Sequence, residues 1–169
     1  MIPEFRNAGP NDAEALAELG RRSFVETFGH LYTAENLAAF LATHSSDSWA
    51  QELADPAFAI RIGEVDGKTI AYAKIGPPKL PFEPRGKAIE LRQFYLLADW
   101  HGSGLASELM RWVLDTARAR GGDDLYLSVF VDNARARAFY ARYGFVEEGR
   151  YAFMVGAHAD EDIVMRLAL

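Results

Sequence analysis

Between residues 88 and 131 the hydrophobic period changes twice, and no other stretch restricts the fold as tightly. Residues 88–97 form the longest strand candidate. The turn His101-Gly102-Ser103-Gly104 then opens a helix in which Leu105, Leu109, Trp112, Val113 and Thr116 share one face. Arg118 and Arg120 suit its C-terminal end, and Gly121-Gly122 stops it. Leu125, Leu127, Val129 and Val131 alternate as a buried strand. A strand, an amphipathic helix and a further strand in this order call for a helix laid on a sheet.

The flanks extend the pattern. Residues 2–6 read as a short strand, and Asn11 with Glu14 as a helix cap. Leu16, Leu19 and Phe28 give a helical stripe that stops at Gly29. Thr33 caps a second helix carrying Leu37, Phe40 and Leu41, and residues 46–54 add a helical piece before Pro56. Phe58, Ile60 and Ile62 then alternate with smaller or polar residues. Asp66-Gly67 marks a two-residue hairpin, with residues 69–75 as the return strand. Residues 76–87 hold four of the seven prolines and form a loop. Asn133 starts a short helix closed by Gly144, and residues 145–149 and 163–167 read as final strands. The order is β-α-α-β-β-β-α-β-α-β-β, an α/β (or α+β) chain with a mixed sheet. At roughly 150 residues per domain, residues 1–169 make one domain.

Composition narrows the chemistry. There is no cysteine, which removes disulfides, thiolate nucleophiles and Cys-ligated metals and suits a reducing cytoplasm. His30, His44, His101 and His158 show no metal spacing, so no metal is expected. No apolar run approaches about 18 residues and no secretory pattern opens the chain, so neither membrane nor export is expected. Lys plus Arg number 18 against 24 Asp plus Glu, giving 18 − 24 = −6, which disfavours nucleic acid and suits a cationic partner.

The turn before Leu105 carries the first chemical signal. Helix-start N–H groups are unpaired and partly positive, and glycines let a ligand approach them, so such a turn can hold a pyrophosphate without lysine. Alone, a tight strand-to-helix connection explains it as well. It is no P-loop, lacking Gly-Lys-Ser/Thr, and it departs from the dinucleotide fingerprint at Ser107.

Two stretches together carry a resemblance. One is Tyr95-Leu96-Leu97-Ala98-Asp99-Trp100-His101-Gly102-Ser103-Gly104-Leu105-Ala106. The other, about 25 residues on, is Asn133-Ala134-Arg135-Ala136-Arg137-Ala138-Phe139-Tyr140-Ala141-Arg142-Tyr143-Gly144-Phe145. In this order they resemble the pyrophosphate motif and the Asn…Tyr…Gly-Phe motif of the GNAT superfamily of acetyl-CoA-dependent N-acetyltransferases. The resemblance covers residues 57–169. His101 stands where the family usually has Gln or Arg. Thr27-Phe28-Gly29-His30-Leu31-Tyr32 with Glu35, Leu37 and Leu41, and the segment Ile89-Glu90-Leu91-Arg92-Gln93-Phe94-Tyr95-Leu96, are similar to the polyamine (spermidine/spermine) branch.

The resemblance implies a GNAT fold with a splayed central strand pair. It also implies acetyl-CoA as co-substrate and a primary amine, in particular a polyamine, as acceptor. Leu96, Leu97 and Ala98 would run beside the pantetheine and acetyl group, a main-chain N–H there holding the oxyanion. Gly102, Ser103, Gly104, Leu105, Ala106 and Ser107 would face the pyrophosphate, and Asn133 the pantetheine arm. Tyr140 would stand near the sulfur as general acid. An alkylamine has a pKa near ~10 and arrives protonated, so a base is needed, for which Glu90 is the first candidate. Direct attack needs no covalent enzyme intermediate. Specificity would lie largely in residues 23–32 and 76–87. Many relatives pair, so a homodimer follows as an expectation. A non-catalytic acyl-CoA or amine sensor stays open as an alternative. So does acetylation of a protein N-terminus or an aminoglycoside.

Overall fold

The computed structural model describes residues 2–169. Seven strands form one sheet in the order β1-β2-β3-β4-β5-β7-β6. They are β1 (Glu4–Asn7), β2 (Ala59–Val65), β3 (Lys68–Gly76), β4 (Ala88–Leu96), β5 (Asp124–Phe130), β6 (Val146–Val155) and β7 (His158–Ala168). The α-helices are α1 (Ala13–Phe28), α2 (Ala34–Leu41), α3 (Ser46–Ala54), α4 (Leu105–Ala119) and α5 (Ala134–Arg142). Every strand pair is antiparallel except β4–β5. The mixed α/β sheet of one domain is as the sequence implies. The piece at 46–54 is a full helix, so three helices, not two, separate the first strands.

Local chemistry explains the boundaries. Asp66 and Gly67 both have positive φ (50° and 75°), as the β2–β3 hairpin turn requires. Thr33 caps α2 by accepting from the Asn36 N–H at 3.2 Å. The Asn11 cap is not formed. Pro10 starts a 3-10 turn instead, α1 follows Asp12, and the Asp12 carboxylate takes the Gly9 N–H at 2.7 Å. The β6–β7 hairpin is far longer than residues 145–149 and 163–167, its added length carrying polar residues that hide the strand alternation in the sequence.

Helices cover both faces. On one, α4 buries Leu105, Leu109, Met110, Val113 and Ala117; each large side chain there stabilises by roughly 1.5–3 kcal/mol. On the other, Tyr72 of β3 meets Trp49 of α3 edge-on and comes against Gly20 of α1. Tyr72 is opposite Tyr95 in register, so Tyr95 of β4 lies on the α1 face. Phe94, one residue away, lies on the α4–α5 face against Phe139 and Tyr140.

Two irregularities shape the centre. Ile75 is opposite Leu91 but Lys74 is opposite Gln93, so Arg92 is the extra residue of a bulge in β4. Strands β4 and β5 pair only at Ala88↔Asp124, Ile89↔Leu125 and Glu90↔Tyr126. Beyond that point they diverge, β4 running on to Leu96 and β5 to Phe130. The result is an opening in mid-sheet, bordered by both helical layers.

Candidate active site

The β4 wall of the opening presents main-chain groups. The Leu97 N–H donates to the Ile70 carbonyl at 3.0 Å. Hydrogen-bonding direction alternates along an antiparallel ladder, so the N–H groups of Leu96 and Phe94 point away from β3, into the opening. The Leu96 carbonyl is held by His101 Nε2 at 3.0 Å. His101 therefore braces the turn onto β4. Of the three residues named from sequence, Leu97 has its N–H committed and Leu96 has its own aimed into the gap.

Below this wall the turn enters α4. Gly102 and Gly104 have φ of 78° and 87°, and a Cβ on either would meet nothing within 4 Å. Glycine is needed there for the left-handed backbone, and the space beside it is open. Ser103 Oγ donates to the Trp100 carbonyl at 2.5 Å and accepts weakly from the Leu105 N–H at 3.4 Å. The N–H groups of Gly102, Gly104, Ala106 and Ser107 make no backbone hydrogen bond in the turn. Glu108 makes the first helical bond, to Gly104. This is a row of unpaired donors at the positive end of α4, suited to a diphosphate.

On the same face, α5 supplies an aromatic cluster. Tyr140 is 8% exposed and touches Phe94, Phe139 and Phe145. Burial, with Tyr95 nearby, raises its pKa above that of an ordinary phenol, so it stays protonated. Asn133 caps α5, its Oδ1 accepting from the Ala136 N–H at 3.3 Å. Its amide N–H₂ remains to donate elsewhere. Tyr143 packs against the core, and so do Trp100 and Trp112.

Glu90 lies on the opposite face and is 6% exposed. Its Oε1 accepts from the N–H groups of Lys79 and Leu80 at 2.8 and 3.0 Å, and Oε2 lies 3.2 Å from Arg92 Nε. Burial raises its pKa, and these contacts oppose the rise. The carboxylate thus anchors the proline-rich loop. The same loop lays Phe82 on Tyr126 with ring centroids 3.7 Å apart.

A polar group that the sequence reading passed over lines the α1 side of the opening. Phe130, Asp162 and Tyr151 share one register row across β5, β7 and β6. Phe28 of α1 meets Phe130 edge-on. Tyr151 donates to Ser128 Oγ at 3.0 Å. Tyr32, in the α1–α2 connection, hydrogen-bonds Asp160, which His158 Nε2 approaches at 3.1 Å. Asp160 and Asp162 are 7% and 6% exposed. Burial first, and Asp160 second, raise the Asp162 pKa to about 7, with Ser128 opposing. The available signal was Asp160 and Asp162 at period two just before Ile163, which marks a strand continuing with one polar face. Among the described residues no cluster of His, Asp and Glu forms a metal site, and no helix is long and apolar enough to cross a membrane.

Comparison with known proteins agrees with this geometry. The profile of the acetyltransferase (GNAT) family matches residues 14–145. The chain is 36% identical over 155 residues to an uncharacterised N-acetyltransferase of Mycobacterium tuberculosis, covering 91% of this chain and 96% of that one. It is 31% identical over 132 residues to the L-amino acid N-acetyltransferase AaaT of Escherichia coli, covering 73% and 78%. Its fold matches the PaiA N-acetyltransferase of Thermoplasma acidophilum, solved with coenzyme A, at a TM-score of 0.80 and 18% identity over 100% of both chains.

Proposed function

This chain belongs to the GNAT family of acetyltransferases, and on that premise we propose that it acetylates a primary amine of the polyamine class from acetyl-CoA. The observation that carries the reading is the parting of β4 and β5 directly above the unpaired donors of the α4 turn. That arrangement fits a long acyl carrier with a diphosphate at one end and a carbonyl at the other. Acetyl-CoA, when bound, supplies the activated acyl group.

The chain's own residues then have separate tasks. The N–H groups of Gly102, Gly104, Ala106 and Ser107 hold the diphosphate. Asn133 donates its free amide hydrogens to the pantetheine arm. The Leu96 N–H polarises the thioester carbonyl and holds its oxygen as negative charge develops. Tyr140 gives its phenol proton to the departing sulfur and is reprotonated from solvent. The carbon–nitrogen bond forms as the carbon–sulfur bond breaks. Of the three ammonium protons one stays on the amide and two leave through a carboxylate and water.

The acceptor enters from the α1 face, where the buried acids Asp160 and Asp162 meet a wall of Tyr32, Tyr95 and Tyr151. Two acids facing no Lys or Arg favour a cationic acceptor. Thiol release is measured with acetyl-CoA over a panel of polyamines, aminoglycosides, amino acids and N-terminal peptides. Turnover highest with polyamines supports the reading. Coenzyme A binding without turnover on any amine replaces it with a sensor role, and preference for an amino acid or a peptide removes the polyamine assignment.

A further inference from the structure

We propose that Asp162, not Glu90, takes the proton from the acceptor's ammonium group; this rests on the acetyl-transfer reading above. Glu90 and Asp162 are both buried carboxylates on the acceptor face, and their surroundings differ. Both Glu90 oxygens are engaged: two backbone N–H groups bond Oε1, and Arg92 pairs with Oε2. Glu90 lies at the closed end, opposite Tyr126, where β4 and β5 still pair. Asp162 lies at the open end, directly opposite Phe130, the last residue of β5.

Three further facts place Asp162 in the reaction path. It is 6% exposed and pairs with no cation among the described residues. A buried carboxylate without a counter-cation is costly, and such costs are retained where a site uses them. Second, Tyr95 of β4, which packs edge-on against Tyr72, lies on the same α1 face as Asp162, and the carboxylate's charge helps raise the Tyr95 pKa. Third, the groups facing it from each packed element are hydroxyls or acids. These are Tyr32 from the α1–α2 connection, Tyr95 from β4, Ser128 from β5, Tyr151 from β6, and Asp160 from β7 itself, with His158 beyond on Asp160. None supplies a permanent positive charge, so the ammonium group of the substrate is the cation this chamber completes. The Asp162 carboxylate accepts one N–H proton, the freed lone pair attacks the thioester carbon, and the proton passes to water as product leaves.

The test is the pH dependence of kcat/KM for spermidine in wild type, Asp162→Asn, Ser128→Ala and Glu90→Gln, with calorimetric coenzyme A affinity measured for each. Wild type is expected to break near pH 7, following the carboxylate. Asp162→Asn should bind coenzyme A as wild type does, lose the break and fall ~10²–10³-fold at neutral pH. It should recover toward pH ~10, where the free amine needs no base. Ser128→Ala should move the break upward, since it removes the hydroxyl that favours the ionised form; it decides the matter if Asp162→Asn does not fold. A break that survives in Asp162→Asn, stays unmoved in Ser128→Ala, or disappears in Glu90→Gln instead overturns the assignment. If wild type itself releases no thiol with any amine, the acetyl-transfer reading fails, and this inference with it.

Discussion

The Tyr151 hydroxyl of β6 donates to Ser128 Oγ of β5 at 3.0 Å, reaching across β7 where Asp162 lies. The three side chains come from three strands, and Phe130, Asp162 and Tyr151 hold one register row. That bridge spans the row that holds the buried Asp162 carboxylate, on the α1 side of the opening.

Tyr140→Phe is expected to keep the fold, because the ring contacts with Phe94, Phe139 and Phe145 survive and only the hydroxyl goes. Turnover should fall ~10–10³-fold with little change in melting temperature. Steady-state thiol release beside a thermal melt checks this, and unchanged turnover removes the acid role.

Gly104→Ala places a side chain at φ 87° with no neighbour within 4 Å of its Cβ. The cost is backbone strain, about 1–2 kcal/mol, and the turn must shift to relieve it. Melting temperature should drop and the coenzyme A Kd should rise about tenfold. Calorimetry showing unchanged affinity would mean that the turn does not hold the diphosphate.

Glu90→Ala leaves the N–H groups of Lys79 and Leu80 without their acceptor and frees Arg92. A loss of about 1–3 kcal/mol follows. Limited proteolysis should cut within residues 77–87 faster than in wild type. Equal cutting rates would show that the loop is held by Phe82 on Tyr126 alone.

Asp162 links pH to stability with a definite sign. Its folded pKa is raised to about 7, against about 3.9 for a free aspartate. Between those values the native chain holds a proton that the unfolded chain releases, so stability falls as pH rises through this window and stays lowered above it. Asp162→Asn removes the penalty and should be more stable than wild type by roughly 1–3 kcal/mol near pH ~8, with the gap closing near pH ~4. Denaturant melts at both pH values check it; a gap that does not change with pH would place the Asp162 pKa near its ordinary value.

Much of the fold was legible because it is written in short-range patterns. The period-two run at Ile60 and Ile62, the Asp66-Gly67 turn and the Leu105–Leu109–Val113 stripe each follow from burying one face of a strand or helix. The two glycines of the α4 turn were also readable, since a left-handed backbone selects glycine regardless of what lies elsewhere. The sequence alone therefore determined most element types, the glycine turn ahead of α4 and the family membership these motifs imply. Tertiary structure decided what cannot be local. Asp160 and Asp162 lay outside the strand expected at residues 163–167, because a strand facing a polar chamber loses the hydrophobic alternation that announces a strand. Glu90 was a candidate base from sequence, and its partners there, Lys79 and Leu80, could not be read because they come from a loop whose path no periodicity fixes. The parting of β4 from β5 and the bulge at Arg92 are matters of cross-strand register, which depends on residues far apart in the chain.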